Sequence, residues 1–263
     1  MNIIVCIKQV PDTETVIKIR PDGKDIETQG IKYIVNPYDE YAVEEAVRIK
    51  ERIPGTTVTA ISAGPARVKE ALRTCLAIGA DEAVHILAEV TVEGDSNIAS
   101  GILAEYIKKL PHDLILVGKQ AIDDDMAQVG SALAAHLNLP FVSMINKLEL
   151  AADNRKATVK RDIEGAAEIF EAELPAIFSC QKGLNEPRYP SLKDIMKSKK
   201  KEIKEVKAAD IGIDTDTLRE ASRTTIIRLD YPPKRPPGQK LEGEPLEVVQ
   251  KLLSLLREEA KVL

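Results

Sequence analysis

Residues 113–130 read DLILVGKQAIDDDMAQVG, and this stretch largely decides the fold. Residues 113–118 (DLILVG) are the most apolar run of the chain, which predicts a buried strand. A polar turn follows at once, and a helix is predicted after it over about residues 125–137. A buried strand, a short loop and a helix in this order are typical of a parallel α/β sheet.

The same alternation recurs along residues 1–147. Further strands are predicted over residues 2–8, 57–63, 83–87 and about 140–147. Helices are predicted from residue 36, up to residue 79, and over about residues 96–109. Asn36 is expected to cap the first helix, with Asp39 completing a capping box. Four strand–helix repeats with short connections imply a doubly wound parallel sheet.

The pattern changes beyond residue 147. Residues 148–182 read as alternating strands (ATVKRDIEG, AAEIFEAEL, PAIFSCQ), which predicts an antiparallel addition to the edge of the sheet. The rest is polar and Lys-rich, then Pro-rich, and a short helix is predicted over about residues 245–260. We therefore expect an α/β nucleotide-binding domain over 1–183, a partner-recognition loop with a basic helix over 184–210, and an extended C-terminal arm over 211–263. An arm that cannot form its own core usually lies on a partner.

Composition limits the possible functions. The chain has no Trp, three Phe and six Tyr, so it offers little for an aromatic stacking platform of the kind that binds single-stranded nucleic acid. The same scarcity disfavours a self-contained flavin or sugar pocket. A net charge of −5 gives no general attraction to nucleic acid or to an anionic membrane. Three His leave little material for a metal site, and none is expected.

Cysteine usage and the N-terminal sequence bear on location. Cys6, Cys75 and Cys180 are widely spaced and match no zinc pattern, which favours a reducing compartment. The start of the chain, MNIIVCIKQV, has neither a basic region nor a long apolar one, so no signal peptide is expected. No apolar run reaches about 18 residues, so no segment is expected to insert into a membrane. We therefore expect a cytoplasmic protein.

The ends of the predicted strands indicate one crevice. In open α/β sheets, ligands bind outside the carboxyl ends of the strands. The segments expected there are residues 6–12, 36–37, 63–65 and 118–130. The last of these matches neither GxGxxG nor the P-loop pattern, but it brings Gly118, Lys119 and a helix N-terminus, whose N–H groups can hold a phosphate.

Asp123, Asp124 and Asp125 allow more than one interpretation. They can cap the helix predicted over residues 125–137 and interact favourably with its dipole. Alternatively, one of them can accept a hydrogen bond from a ribose hydroxyl or an adenine amine. General acid–base catalysis and magnesium binding are the weakest alternatives, because no nucleophile or His lies nearby in the sequence.

A basic run within residues 193–207 surrounds three apolar residues, Leu192, Ile195 and Met196. The run can be a solvated helix face. Apolar residues inside a charged rim also have the form of a protein-recognition site, here for an acidic partner. The residues by themselves leave both interpretations open.

Five longer motifs carry a family resemblance. They are VNPYDEYAVEEAVRIKE (35–51), SAGPARVKEALRTCLAIGAD (62–81), DLILVGKQAIDDD (113–125), VKRDIEG (159–165) and LNEPRYPSLKDIMKSKKKEI (184–203). Over nearly the whole chain they resemble the beta subunits of electron-transfer flavoproteins. The resemblance implies a heterodimer with an alpha subunit that takes electrons from acyl-CoA-type dehydrogenases and passes them to a membrane-associated quinone oxidoreductase or another acceptor. This chain would be an electron-carrier subunit with no independent catalytic reaction.

The resemblance also implies the cofactors and the site residues. FAD would be held mainly by the alpha subunit, and AMP would be buried in the beta subunit as a structural ligand. The nucleotide-binding segments correspond to Cys6, Asn36, Pro37, Tyr38, Asp39, Ala63, Gly118, Lys119, Gln120, Ala121, Ile122, Asp123, Asp124, Asp125, Met126, Ala127, Gln128 and Val129. The dehydrogenase-recognition loop corresponds to Leu184, Asn185, Glu186, Pro187, Arg188, Tyr189, Leu192, Ile195 and Met196, with Leu192 as its apolar anchor. The Pro-rich arm and the terminal helix correspond to the part that wraps the alpha subunit.

Two alternatives to the AMP-binding subunit stay open. The bifurcating branch of the family holds a second FAD in place of AMP and resembles QAIDGDTAQVG, where this chain has Asp124 for Gly and Met126 for Thr. A carboxylate and a bulkier side chain are expected to repel and crowd the extra phosphate and flavin, although IIVCIKQVPDT, NPYDEYA and AQVG resemble that branch. The alternative from another class is a free-standing adenine-nucleotide-binding module, which the Pro-rich arm disfavours.

Overall fold

The structure of the chain is a computed structural model that describes residues 1–88, 95–214, 222–235 and 237–263. Its strands are β1 (Asn2–Cys6), β2 (Gln9–Pro11), β3 (Tyr33–Val35), β4 (Thr57–Gly64), β5 (Glu82–Leu87), β6 (Leu114–Gly118), β7 (Phe141–Ile145), β8 (Lys147–Leu150), β9 (Lys156–Ile163), β10 (Ala166–Glu173), β11 (Ala176–Cys180) and β12 (Lys204–Lys207). Its helices are α1 (Pro37–Arg52), α2 (Val68–Ile78), α3 (Ser96–Ile107), α4 (Val129–Leu137), α5 (Leu192–Ser198) and α6 (Pro245–Glu258).

The centre is a seven-stranded sheet in the order β12-β5-β4-β1-β6-β11-β7, in which every neighbouring pair is parallel. Helices α1 and α2 pack on one face of the sheet, and α3 and α4 pack on the other. Successive side chains of a strand point to opposite faces. In β1, Ile3 and Val5 therefore join the core beside α1 and α2, while Ile4 and Cys6 join the core beside α3 and α4. The doubly wound parallel sheet expected from the sequence is confirmed.

The antiparallel addition is also present, but one of its three predicted segments lies elsewhere. Strands β8, β9 and β10 form an antiparallel sheet of their own. The segment PAIFSCQ does not join them; it forms β11, which lies between β6 and β7 and is parallel to both. All five residues of β11 are buried, whereas β10 is exposed at most of its positions. A strand covered on both faces needs a continuous apolar run, and that run distinguishes a central parallel strand from an alternating one.

The C-terminal part adds one strand that the sequence pattern does not predict. Strand β12 pairs with β5 at the edge of the central sheet. Its sequence, KEVK, has one apolar residue, Val206, and two Lys, a composition common at sheet edges. The terminal helix α6 is confirmed, and every residue in it is at least partly exposed. Within the described ranges, no helix is long and apolar enough to cross a membrane.

Candidate functional site

A crevice opens at the carboxyl end of the central sheet. Strand β1 leads through α1 to β4 on one side, and β6 later returns on its other side, so the connections diverge at this point. Crevices in doubly wound sheets form at such switch points. Walls are contributed by the ends of β1, β4 and β6 and by the first residues of α3 and α4. The crevice expected from the strand ends therefore exists.

Most of the predicted nucleotide-binding residues come together in this crevice. Those that line it are Cys6, Asn36, Asp39, Ala63, Gly118, Lys119, Gln120, Ala121, Asp124, Met126, Ala127, Gln128 and Val129. The others, Pro37, Tyr38, Ile122, Asp123 and Asp125, are each adjacent in sequence to a lining residue. The segments expected at the strand ends also contain the lining residues Ile7, Lys8, Gln9 and Gly130, whereas Val68, Asp95, Ser96, Ala99, Leu103 and Val117 were not singled out from the sequence. One signal could have identified Asp95, because it precedes a helix as an N-cap does.

Asn36 fastens the loop that follows β6 instead of capping α1. Its Nδ2 group donates to the carbonyl of Gln120 at 2.8 Å, and its Oδ1 atom accepts from the N–H of Ile122 at 3.2 Å. The prediction of a side-chain cap at Asn36 is therefore wrong. The side chain is 1% exposed, and it closes a two-point contact with one stretch of backbone. That contact fixes the loop against the start of α1.

Asp39 joins the ends of the two strands that flank the crevice. Its Oδ2 atom accepts from the N–H of Lys8 at 2.6 Å, and its Oδ1 atom accepts from the N–H of Gly118 at 3.0 Å. Burial raises the pKa of Asp39 to about 7, against the opposing effect of these hydrogen bonds. A Cβ atom at position 118 would lie 2.2 Å from Oδ1 of Asp39, so only Gly permits this contact. Asp39 is therefore a structural residue of the crevice floor and not part of a capping box.

The three consecutive aspartates do not cap a helix. Helix α4 begins at Val129, four residues beyond the last of them. Asp123 and Asp124 instead accept hydrogen bonds from Nζ of Lys8 at 2.8 and 2.9 Å. Asp125 accepts from the side-chain amide of Gln120. The interpretation as helix caps is thus wrong, and two of the three carboxylates are paired with a cation.

The loop between Asp124 and α4 has a constrained backbone. Asp125 and Ala127 both adopt left-handed conformations, with φ of 51° and 55°. Such conformations are uncommon outside Gly and tend to occur at functional sites. The first turn of α4 then faces the crevice through Val129 and Gly130. N–H groups in a first helical turn lack intrahelical partners and favour an anion, so this end of the crevice fits a phosphate.

Part of the crevice wall is apolar, and one polar contact lies nearby. Ala63, Val68, Leu103 and Val117 present aliphatic carbon to the crevice. A flat base can be buried against such a surface. Nearby, Oε1 of Gln9 accepts from Arg67 at 2.8 Å. The crevice therefore combines an apolar surface with a helix end that favours an anion.

Cys6 lines the crevice but is not a reactive thiol. It is buried, and burial together with the charge of Asp39 raises its pKa to about 12. A thiol with so high a pKa has almost no nucleophilic thiolate at neutral pH. Cys6 is the buried strand residue that the sequence predicts.

The predicted recognition segment is fastened to the body at its first half. Asn185 is buried and donates to the carbonyl of Tyr41 and to the carboxylate of Glu45, both at 3.0 Å. Arg188 makes two-point contacts with Glu44, at 2.8 and 3.0 Å, and with Glu51, at 2.6 and 3.0 Å. Paired contacts of this kind fix direction as well as distance. The segment therefore leaves α1 in a defined direction.

The second half of the segment presents apolar side chains to solvent. Leu192 is 83% exposed at the first position of α5, and Tyr189, just before it, is 97% exposed. Ser191 caps α5 by accepting from the N–H of Asp194 at 3.2 Å. Beyond the helix, Lys201 donates to the carbonyl of Ala80 at 2.7 Å. The chain is thus held before α5 by Arg188 and after α5 by Lys201, and the exposed apolar residues of α5 lie between these two contacts.

The fold and the crevice define a doubly wound α/β protein with a ligand site at a switch point of the sheet. Residues 24–211 match the protein family described as Electron transfer flavoprotein domain. The chain is 43% identical over 264 residues to the electron transfer flavoprotein subunit beta of Bacillus subtilis (strain 168), with 100% of both chains covered. It is 40% identical over 245 residues to the beta subunits of Bos taurus and Homo sapiens, covering 92% of this chain and 93% of each relative. The chain therefore belongs to the electron transfer flavoprotein family, in its beta-subunit branch.

Proposed function

We propose that this chain is the subunit of a heterodimeric electron-transfer flavoprotein that holds AMP as a structural ligand. The observation that carries the proposal is the crevice between β1 and β6, whose wall combines the first turn of α4 with apolar side chains. When bound, FAD supplies the electron-transfer chemistry and is held mainly by the alpha subunit. The residues of this chain bind and orient the adenine nucleotide and exclude water from it.

AMP is favoured over a second FAD by the acidic mouth of the crevice. Asp124 lies on the crevice wall and accepts from the N–H of Met126, which also lines the crevice, at 3.1 Å. A dinucleotide would bring a second phosphate and a flavin past these two residues. A second phosphate adds charge near a carboxylate, which opposes binding. The crevice therefore suits one phosphate better than two.

The proposed docking surface consists of Tyr189, Leu192, Ile195 and Met196. An exposed apolar cluster with basic neighbours has the composition of a protein-recognition site. We propose that it binds an acyl-CoA-type dehydrogenase through an acidic surface, after which electrons pass to the flavin and then to a quinone oxidoreductase or another acceptor. This chain performs no independent catalytic reaction in that scheme.

The proposed interface with the alpha subunit includes the C-terminal arm and α6. The exposed apolar residues of α6 include Leu246, Val249, Leu252 and Leu253. A helix that exposes one apolar face gains stability when a partner covers that face. We also propose a cytoplasmic location, which three free and buried cysteines support through their need for a reducing environment.

The nucleotide proposal is tested on the complex co-purified with its alpha subunit. Denaturing the complex releases the bound ligands, and chromatography then counts FAD and AMP per heterodimer. We expect one of each. Two FAD and no AMP would refute the AMP proposal and support the bifurcating alternative. A lone chain that is soluble and binds ATP tightly would instead support the free-standing nucleotide module.

The docking proposal is tested by Leu192→Ala, because Leu192 is the most exposed of the apolar residues of α5 relative to its size. We expect slower electron transfer from the dehydrogenase, with an increased dependence on dehydrogenase concentration and an unchanged flavin content. The matched control is Ile169→Ala, which removes an exposed apolar side chain from β10, outside the docking surface. Equal rates for Leu192→Ala and the unsubstituted complex would show that Leu192 is not the anchor.

A further inference from the structure

The backbone of Lys8 is held at the crevice by hydrogen bonds to Asp39 and Asn36. Lys8 stands two residues beyond β1, and its N–H donates to the buried carboxylate of Asp39 at 2.6 Å. Its carbonyl oxygen accepts from the N–H of Asn36 at 2.9 Å. The side chain therefore starts from a fixed point and lines the crevice.

The side chain of Lys8 extends to Asp123 and Asp124, in the loop that follows β6. Its Nζ atom lies 2.8 Å from Oδ1 of Asp123 and 2.9 Å from Oδ2 of Asp124. Burial lowers the pKa of Lys8, but the hydrogen bonds and charges of the two aspartates outweigh burial and raise it above its ordinary value. An ammonium group has three N–H donors, so one donor is left after these two contacts.

The charges at the mouth explain why an acidic loop can border a phosphate site. Two carboxylates alone would place two negative charges at a crevice that the first turn of α4 also lines, and an anion would be repelled. Lys8 reduces that charge by one and contributes a cationic donor. Its side chain is 32% exposed, and those of Asp123 and Asp124 are 29% and 33% exposed, so solvent screens the interaction in part.

We propose that Lys8 is a specificity-determining residue of the crevice, which makes binding depend on the ligand's phosphate. This inference rests on the proposed nucleotide function. The ammonium group compensates Asp123 and Asp124 and donates its remaining N–H to the phosphate of a purine mononucleotide. The base and ribose are recognised by the rest of the crevice, so the residue discriminates a nucleotide from its nucleoside.

The test compares AMP with adenosine, because these ligands differ only in the phosphate. Dissociation constants are measured by calorimetry on the nucleotide-depleted complex of the full chain with its alpha subunit. We expect the complex to prefer AMP. In Lys8→Met the ratio of the two dissociation constants should fall at least about tenfold, as expected for the loss of a charge-assisted hydrogen bond. Lys32→Met is the matched control, because the ammonium of Lys32 pairs with Asp12 at 2.6 Å and lies outside the crevice wall.

A second variant keeps the test independent of Lys8 itself. Asp124→Asn retains Lys8 and removes one negative charge, so the preference for AMP should increase. An unchanged ratio in both Lys8→Met and Asp124→Asn would overturn the inference while leaving the nucleotide function intact. An unsubstituted complex that binds neither AMP nor adenosine would overturn the nucleotide function, and the inference with it.

Discussion

Asp95 uses its two carboxylate oxygens for two different tasks. Oδ1 caps α3 by accepting from the N–H groups of Asn97 and Ile98 at 2.9 and 3.2 Å. Oδ2 accepts from the arm: from Oγ of Ser222 at 2.9 Å, from the N–H of Arg223 at 2.8 Å and from Thr224 at 3.2 Å. One residue on the crevice wall therefore holds both the start of α3 and residues 222–224 of the arm.

The substitution Asp95→Ser separates these tasks. Ser caps helices about as well as Asp, but its single oxygen lies close to the backbone and cannot also serve the arm. Asp95→Ala removes both functions. We therefore expect Asp95→Ser to release the arm and keep the cap of α3, and Asp95→Ala to lose both.

The magnitude follows from the carboxylate itself. Burial alone would raise the pKa of Asp95, but the hydrogen bonds from the arm and from α3 lower it from an ordinary 3.8 to about 2. Because one pKa unit corresponds to about 1.4 kcal/mol, the contacts of the ionised carboxylate stabilise the fold by roughly 2 kcal/mol. A helix cap contributes about 1 kcal/mol of this, which leaves about 1 kcal/mol for the arm.

Amide hydrogen exchange can measure the two contributions separately. In Asp95→Ser, the N–H of Arg223 should exchange about five- to tenfold faster, while the N–H of Asn97 is unchanged. In Asp95→Ala, both should exchange faster. Equal exchange of Arg223 in Asp95→Ser and the unsubstituted chain would show that the carboxylate does not hold the arm.

The pH dependence gives an independent check with a defined sign. A carboxyl group with a depressed pKa stabilises the fold above its unfolded pKa near 4, and this stabilisation is lost as the pH falls towards 2. The difference between Asp95→Ser and the unsubstituted chain should therefore be constant above about pH 5 and decrease below pH 4. A difference that persists at pH 2 would contradict an ionic origin.

Three further predictions concern the crevice floor, the recognition segment and the cysteines. Asn36→Asp places a carboxylate oxygen against the carbonyl of Gln120, so the affinity for AMP should fall about tenfold in a binding titration. The control Asn138→Asp lies outside the crevice and should leave the affinity unchanged. Arg188→Lys keeps the charge but loses the paired contacts with Glu44, so urea unfolding should show a stability lower by about 1–2 kcal/mol; an unchanged midpoint would contradict this. All three thiols should stay unreactive towards a disulfide reagent in the native chain and react after unfolding, because burial raises the pKa of each.

The sheet and most helices could be predicted because their signals are local. Strands such as β6 are continuous apolar runs, and helices such as α2 repeat apolar residues at helical spacing. Strand β12 lacks such a signal, since it gains its place by pairing with β5 and buries one side chain. Strand β11 has the apolar composition of a buried strand, but no local pattern shows that it pairs with β6 and β7.

The candidate site was predicted as a set of segments but not as a set of contacts. Asn36 followed by Pro37 is the sequence of a capped helix start, yet the side chain binds residues more than 80 positions away. The aspartates at 123 and 124 look like caps because a helix follows, yet their partner, Lys8, is separated from them by 115 and 116 positions. Contacts over such distances depend on the assembled sheet, and no local pattern contains them.

Helix α1 connects the crevice to the recognition segment. Its first turn carries Asp39, which ties the ends of β1 and β6, and its later turns carry Glu44 and Glu51, which hold Arg188. These residues are separated by about one to three helical turns. The face between them, formed by Ala42, Val43, Ala46 and Val47, is buried against the sheet, so the helix cannot turn without opening the core. Helix α1 therefore fixes the start of the recognition segment relative to the crevice, whereas the far end of the proposed docking surface is held just beyond α2, where Lys201 donates to the carbonyl of Ala80.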